Sequence, residues 1–214
     1  MIEQILKGGP LMIPLMICSL VSLAIVYDRW FAFRENRRID TRSLRAKVTN
    51  HLRNNDINAA ISECETARGP IASVLLAGLR SYQQLRGKNE SSETMRLVIS
   101  QVMQDYSAQA MSVVNKRIDT LTTIGMAAPL LGMTGTVTGM IASFAGLADA
   151  GSVGGSGGVV ANGIAEALIT TAAGLLIALA AVIPQSIFNR WSDEIELEIE
   201  EGTSEFVEFI LTHH

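Results

Sequence analysis

Residues 163–189, GIAEALITTAAGLLIALAAVIPQSIFN, decide how this chain folds. Glu166 is the one ionisable residue in the stretch, and the 23 residues from Ala167 to Asn189 carry no charge. A bilayer-crossing helix needs about 20 mostly apolar residues, so the run is long enough. It is rich in Ala, Thr and Gly, which favour close helix–helix contact over contact with lipid. Two further uncharged runs precede it: Gly8 to Tyr27, 20 residues, and Thr120 to Ala148, 29 residues. The first is dominated by large aliphatic side chains and can stand alone in lipid. The second shares the small-residue character of the third. Over all 214 residues the chain is 48% hydrophobic and only 18% charged, against about 25% charged in an ordinary soluble domain. The expected fold is all-α, a polytopic membrane protein with three spans.

Charge placement orients the spans. Of 17 basic residues, 15 lie between Arg29 and Arg117. Basic residues are retained on the cytoplasmic side, so 1–9 reads as an external N-terminus, 10–27 as the first span and 28–119 as a cytoplasmic helical domain. The second span, 120–148, runs outward. The connector 149–162 is Gly-rich, free of Lys and Arg, and reads as a featureless periplasmic loop. The third span, 163–189, returns inward to Arg190, leaving 190–214 as a cytoplasmic acidic helix. The first run has no basic n-region before it, the chain opening with Glu3, and no small-residue cleavage site after it, so it reads as a retained anchor and not a signal peptide.

Local signals divide the cytoplasmic part. Asp56 is an N-cap for the helix that follows, and Gly69-Pro70 breaks the chain and starts another. Residues 87–92 form a polar connector. From about Glu93 the apolar positions Ile99, Val102, Tyr106, Val113, Ile118 and Leu121 keep helical spacing straight into the second span, which predicts one helix of more than 50 residues. Past the third span, Phe188, Trp191, Ile195, Ile199, Phe206 and Phe209 do the same, with Glu194, Glu196, Glu198, Glu200, Glu201, Glu205 and Glu208 on the polar positions. Those glutamates read as a solvated face, or as a partner for the basic 28–119 segment. His213 and His214 read as a native end or a tag remnant.

Few residues can carry chemistry. A carboxylate inside a span costs roughly 3 kcal/mol on insertion scales. From position alone, Glu166 reads equally as a functional group or as a solvated interfacial residue. Thr170 stands about 40° from Glu166 around the helix and Thr171 about 140°, so the two hydroxyls address different neighbours. In the second span Gly125, Pro129, Gly132, Thr136, Gly139 and Ser143 make one stripe, which either admits a neighbouring helix or lines a polar path. For any one threonine, bonding back to a carbonyl one turn earlier is the ordinary role. Neither of these two spans holds a His or Cys, so no nucleophile–base pair or metal set is expected, nor a cofactor. Cys18 and Cys64 form no C-x-x-C pair. A surplus of five positive charges in 28–119 (15 basic, 10 acidic) gives nucleic-acid binding little support.

The segments APLLGMTGTVTGMIASF (128–144) and GIAEALITTAAGLLIALAAVIPQSIFN (163–189) resemble the hallmark segments of the ExbB/TolQ/MotA proton-channel family, and GPIASVLLAGL (69–79) is similar to a cytoplasmic segment of it. Three spans with an external N-terminus resemble ExbB and TolQ more than MotA. The resemblance implies a pore-forming homo-oligomer, a pentamer, whose second and third spans surround helices of an ExbD/TolR-type partner carrying a transmembrane aspartate. It implies a proton path at Thr136 and Thr171 with Glu166 and Thr170, and structural pore-helix roles for Pro129, Gly132, Gly135 and Gly139. It also implies an inner-membrane location, lipid contact, and work on an envelope client, such as a TonB-like protein, a Tol-type system or a gliding motor. A non-conducting scaffold that keeps the same fold is the reading of another class.

Overall fold

A computed structural model describes residues 9–36, 40–87, 92–149 and 156–212. Every element among them is an α-helix: α1 (Met12–Asn36), α2 (Thr41–Arg53), α3 (Ile57–Ala67), α4 (Pro70–Arg86), α5 (Ser92–Asp149) and α6 (Ser156–Thr212). Three of these, α1, α5 and α6, are long and apolar enough to cross a membrane. The fold class is therefore all-α with three membrane-length helices. The helices of 58 and 57 residues, α5 and α6, bear out the reading of apolar periodicity that continues past the spans. Pro129 and Pro184 sit inside them without ending them.

The ends follow local chemistry. Asp40 and Asp56 accept hydrogen bonds from the backbone N–H of Ser43 and Ala59, both at 3.1 Å, each satisfying a donor that the first helical turn leaves unpaired. Gly69 adopts φ +130° at the N-cap of α4, with Pro70 in the first turn, as the Gly-Pro pair predicts. One expectation fails: α6 begins at Ser156, inside the segment read as a featureless loop. Continuity with the long helix carries it backward through its glycines, each of which lowers helix propensity by only about 1 kcal/mol. His213 and His214 lie outside the described residues.

The chain divides into two compact units, 1–29 with 117–187, and 30–116 with 188–214. In the first, α1 packs through Met12 and Leu15 against Ala128 of α5 and Ala178 of α6, with Leu131, Ala173 and Ile177 around them. Its outward side chains stay apolar: Leu20, Leu130, Ile141, Leu168 and Leu176 are each more than 60% exposed. Arg117 pairs with Asp28, which Arg29 also contacts at 2.9 Å.

The second unit is built like a soluble domain. Leu44, Val48 and Leu52 of α2, Ala60 and Cys64 of α3, Ile71, Leu75 and Leu79 of α4, Ile99 and Met103 of α5, and Ile199 and Phe206 of α6 are all buried. Phe33 stacks on Phe188 at 5.6 Å and meets the edge of Trp191 at 5.5 Å. The acidic helix does find a basic partner in Arg45, which reaches Glu201 at 2.8 Å and Glu205 at 3.6 Å.

Candidate functional site

A threonine in a helix has two outlets for its hydroxyl: a carbonyl one turn back, or a group on a neighbouring helix. Most hydroxyls here take the first. On α5, Thr134 donates to the Leu130 carbonyl at 2.8 Å, Thr136 to Met133 at 2.7 Å and Thr138 to Thr134 at 2.9 Å. On α6, Thr170 donates to the Glu166 carbonyl at 3.1 Å. Thr171 differs. Its hydroxyl crosses to α5 and donates to the carbonyl of Gly132 at 2.8 Å.

That bond exists because the helices meet backbone to backbone. A Cβ placed on Gly132 would lie 3.1 Å from Thr171 Cα, and one on Gly174 would lie 2.6 Å from the Ala128 carbonyl oxygen. The small-residue stripe of α5 therefore admits a helix, the first of its two readings. Its membership shifts slightly. Gly125, Gly132, Gly139 and Ser143 face α6, joined by Ala128 and Gly135, while Pro129 and Thr136 sit half-buried on the flank. Around the helix axis, Ala128 and Gly135 stand about 40–60° to one side of Gly132, and Pro129 and Thr136 about as far to the other. Spacing alone does not say which side is pressed.

Beside this seam a cavity of about 570 Å³ opens between the start of α1, α5 and the start of α6. Its polar walls are Glu166, Thr138, Ser143, Asn162 and the fully buried Thr170. Gly9 closes one side with φ +69°, and a Cβ there would meet Glu166 Oε1 at 2.5 Å. The positive φ favours glycine here, while the Glu166 carboxylate is the end of a flexible side chain that can shift.

The sequence-derived candidates thus fall into three groups. Glu166, Thr170, Gly135 and Gly139 line the cavity, Thr171 and Gly132 make the cross-helix bond, and Thr136 and Pro129 belong to neither. Thr138, Asn162 and Gly9 enter only from the structure. Asn162 stands one turn before Glu166, a signal the sequence does carry, whereas the approach of Gly9 is purely tertiary. Hydroxyls donate and accept, and a carboxylate takes up a proton, so the cavity wall can hold or pass a proton. A single acid cannot complete a relay alone.

Residues 66–201, which include all of these groups except Gly9, match the MotA/TolQ/ExbB proton channel family. The chain belongs to this family. Relatives agree with it over most of their length. The biopolymer transport protein ExbB of Neisseria meningitidis serogroup A is 29% identical over 86% of this chain and 84% of its own. The exbB1 protein of Vibrio cholerae is 29% identical over 87% and 78%, and ExbB of Salmonella typhimurium is 30% identical over 84% and 71%. Family membership together with three apolar helices makes this an inner-membrane protein with a transport-energising role, and the family's members are channel or transport subunits.

Proposed function

We propose that the chain is the proton-channel, stator-like subunit of a motor in which copies of it surround an ExbD/TolR-type partner, and that proton entry drives work on an envelope client of the TonB-linked import class. The observation that carries this reading is the seam between α5 and α6. Between the uncharged runs of α5 and α6, a carboxylate, Glu166, and a buried hydroxyl, Thr170, line one cavity, next to a cross-helix bond from Thr171. Such polar groups are costly in a span and mark ion pathways. The missing second acid is supplied by a partner helix in this proposal. A proton descending 100 mV releases about 2.3 kcal/mol, which the assembly converts to movement. The N-terminus is external and the C-terminus cytoplasmic, with 28–119 and 190–214 on the cytoplasmic side.

The names of the relatives, biopolymer transport proteins, support the transport class. The test is co-expression with an ExbD-type chain in cells that depend on it for TonB-linked import. The wild type is expected to co-purify with that chain in unequal stoichiometry and restore import. Glu166→Gln, Thr136→Val and Thr171→Val are expected to assemble and fail in import. Full import by all three variants would overturn the proton-path reading and favour a scaffold. Thr171→Ser keeps the hydroxyl donor to Gly132, so import is expected to survive.

A further inference from the structure

Arg45 occupies a prepared place in the second unit and keeps a donor in reserve. Its side chain, only 11% exposed, crosses from α2 onto α6 at Gly202, where an added Cβ would stand 3.3 Å from Arg45 Cδ. Glu201 and Glu205 both approach the guanidinium through Nη1, at 2.8 and 3.6 Å. Nε is buried and has no hydrogen-bond partner among the described residues. A buried donor left unmade costs stability. The edge it belongs to is the kind of fork that binds phosphate and carboxylate oxygens.

A groove of about 560 Å³ opens beside Arg45, between α2 and the last turns of α6. Arg42, Arg45 and Thr49 line it from α2, at spacings of three and four residues that place them on one helix face. Arg42 is exposed and forms no ion pair among the described residues. Thr49 is half-buried, and its hydroxyl makes no hydrogen bond among them, unlike the back-bonded threonines of α5. Arg53 lines the far end of the groove, about 12 Å farther along α2 than Arg45. Over the whole lining, three guanidiniums face two carboxylates, Glu205 and Glu208, and Glu205 already lies against Arg45.

We propose that the Arg42–Arg45–Thr49 end of this groove is a binding site for a phosphate group of a small water-soluble molecule. Arg45 turns its Nε edge into the groove on binding, Arg42 supplies a second guanidinium and Thr49 a hydroxyl donor. Donors from three side chains suit a tetrahedral oxyanion, with its three or more acceptor oxygens, better than a planar carboxylate. The source is soluble because of where the groove lies. Glu205 is 16 residues past Asn189 at the end of the third span, about 24 Å along one helix. The polar layer of a bilayer adds only about 5–8 Å on each side, so a lipid headgroup does not reach.

The test is calorimetric titration of the purified full chain with inorganic phosphate, at about 150 mM NaCl to screen diffuse attraction. Saturable binding of one phosphate per chain is expected, with none for acetate. Arg42→Gln is expected to weaken binding about tenfold. Arg45→Lys keeps the charge beside Glu201 but loses the fork, and is expected to abolish binding. Arg53→Gln removes the same charge as Arg42→Gln and is expected to leave binding unchanged, and neither exposed substitution is expected to move the phosphate-free melting temperature. Nanodiscs of phosphatidylglycerol and of phosphatidylcholine are expected to give the same phosphate affinity. No saturation by phosphate, or equal binding of acetate, overturns the site. Equal weakening by Arg42→Gln and Arg53→Gln reduces it to general attraction and overturns it too. Binding blocked in phosphatidylglycerol alone would make a lipid headgroup the occupant and overturn the soluble ligand.

Discussion

Gly174 shows how little room the contact between α5 and α6 leaves. A single methyl added there meets the backbone oxygen of Ala128, which cannot swing aside as a side chain would. Gly174→Ala is expected to destabilise the protein by about 1–3 kcal/mol, the usual cost of overpacking, and to lower the melting temperature in detergent. Gly158→Ala, where nothing lies within 4 Å, is expected to be neutral or to stabilise by up to about 1 kcal/mol through helix propensity. Cys64 gives the pH-dependent case. Burial, and then the adjacent Glu63 and Glu65 carboxylates, push its thiol up to about 12 from an ordinary value of 9.0. Because the fold favours the protonated form, the associated stability is intact below pH 9 and is lost as pH rises from 9 towards 12. Folded protein is therefore expected to resist maleimide labelling at Cys64 at neutral pH, and Cys64→Ala to flatten the alkaline fall in melting temperature. At this scale the sequence was readable in part. Glu166 stands out on position alone, and the two threonines address different neighbours as helical geometry requires. That Thr171 donates to Gly132 was not readable, since it depends on which flank of a small-residue stripe is pressed, and spacing is symmetric about Gly132.

At the scale of elements, most boundaries follow from local chemistry. The Asp56 cap, the Gly69-Pro70 break and the run of apolar positions from Ile99 to Leu121 each predict what the helices do. The loop reading of 149–162 misses the helix that begins at Ser156, because glycine lowers helix propensity by only about 1 kcal/mol per residue, a deficit that continuity with a long helix overrides. The docking of α1 was not legible either. Its apolar residues run all round the helix, so no stripe marks the side that faces α5 and α6. The structure selects Met12 and Leu15, the latter fully buried. Leu15→Ala is expected to cost about 2–5 kcal/mol, read as lowered melting temperature in detergent, whereas Leu20→Ala, at a residue 66% exposed, is expected to change it little.

For the whole molecule, the distribution of charge does what no single residue can. The first unit presents aliphatic side chains outward, and the second carries most of the basic residues, 14 of 17, on a conventional core. With the orientation proposed above, trypsin added to right-side-out spheroplasts is expected to cut nowhere beyond Lys7. In inside-out vesicles it is expected to cut at exposed sites such as Arg42, Arg53 and Arg86, seen as a shift of the band on a gel. Cleavage at those cytoplasmic arginines from the outer face would reverse the topology. The bond from Thr171 to Gly132 has a further use. A helical carbonyl already accepts one amide hydrogen bond, and this one accepts a hydroxyl as well, so its stretching vibration is displaced from those of its neighbours. Placing carbon-13 at the Gly132 carbonyl would give an infrared reporter with its own spectral line, free of bulky dyes, and able to follow the crossing of the two helices as the membrane is energised.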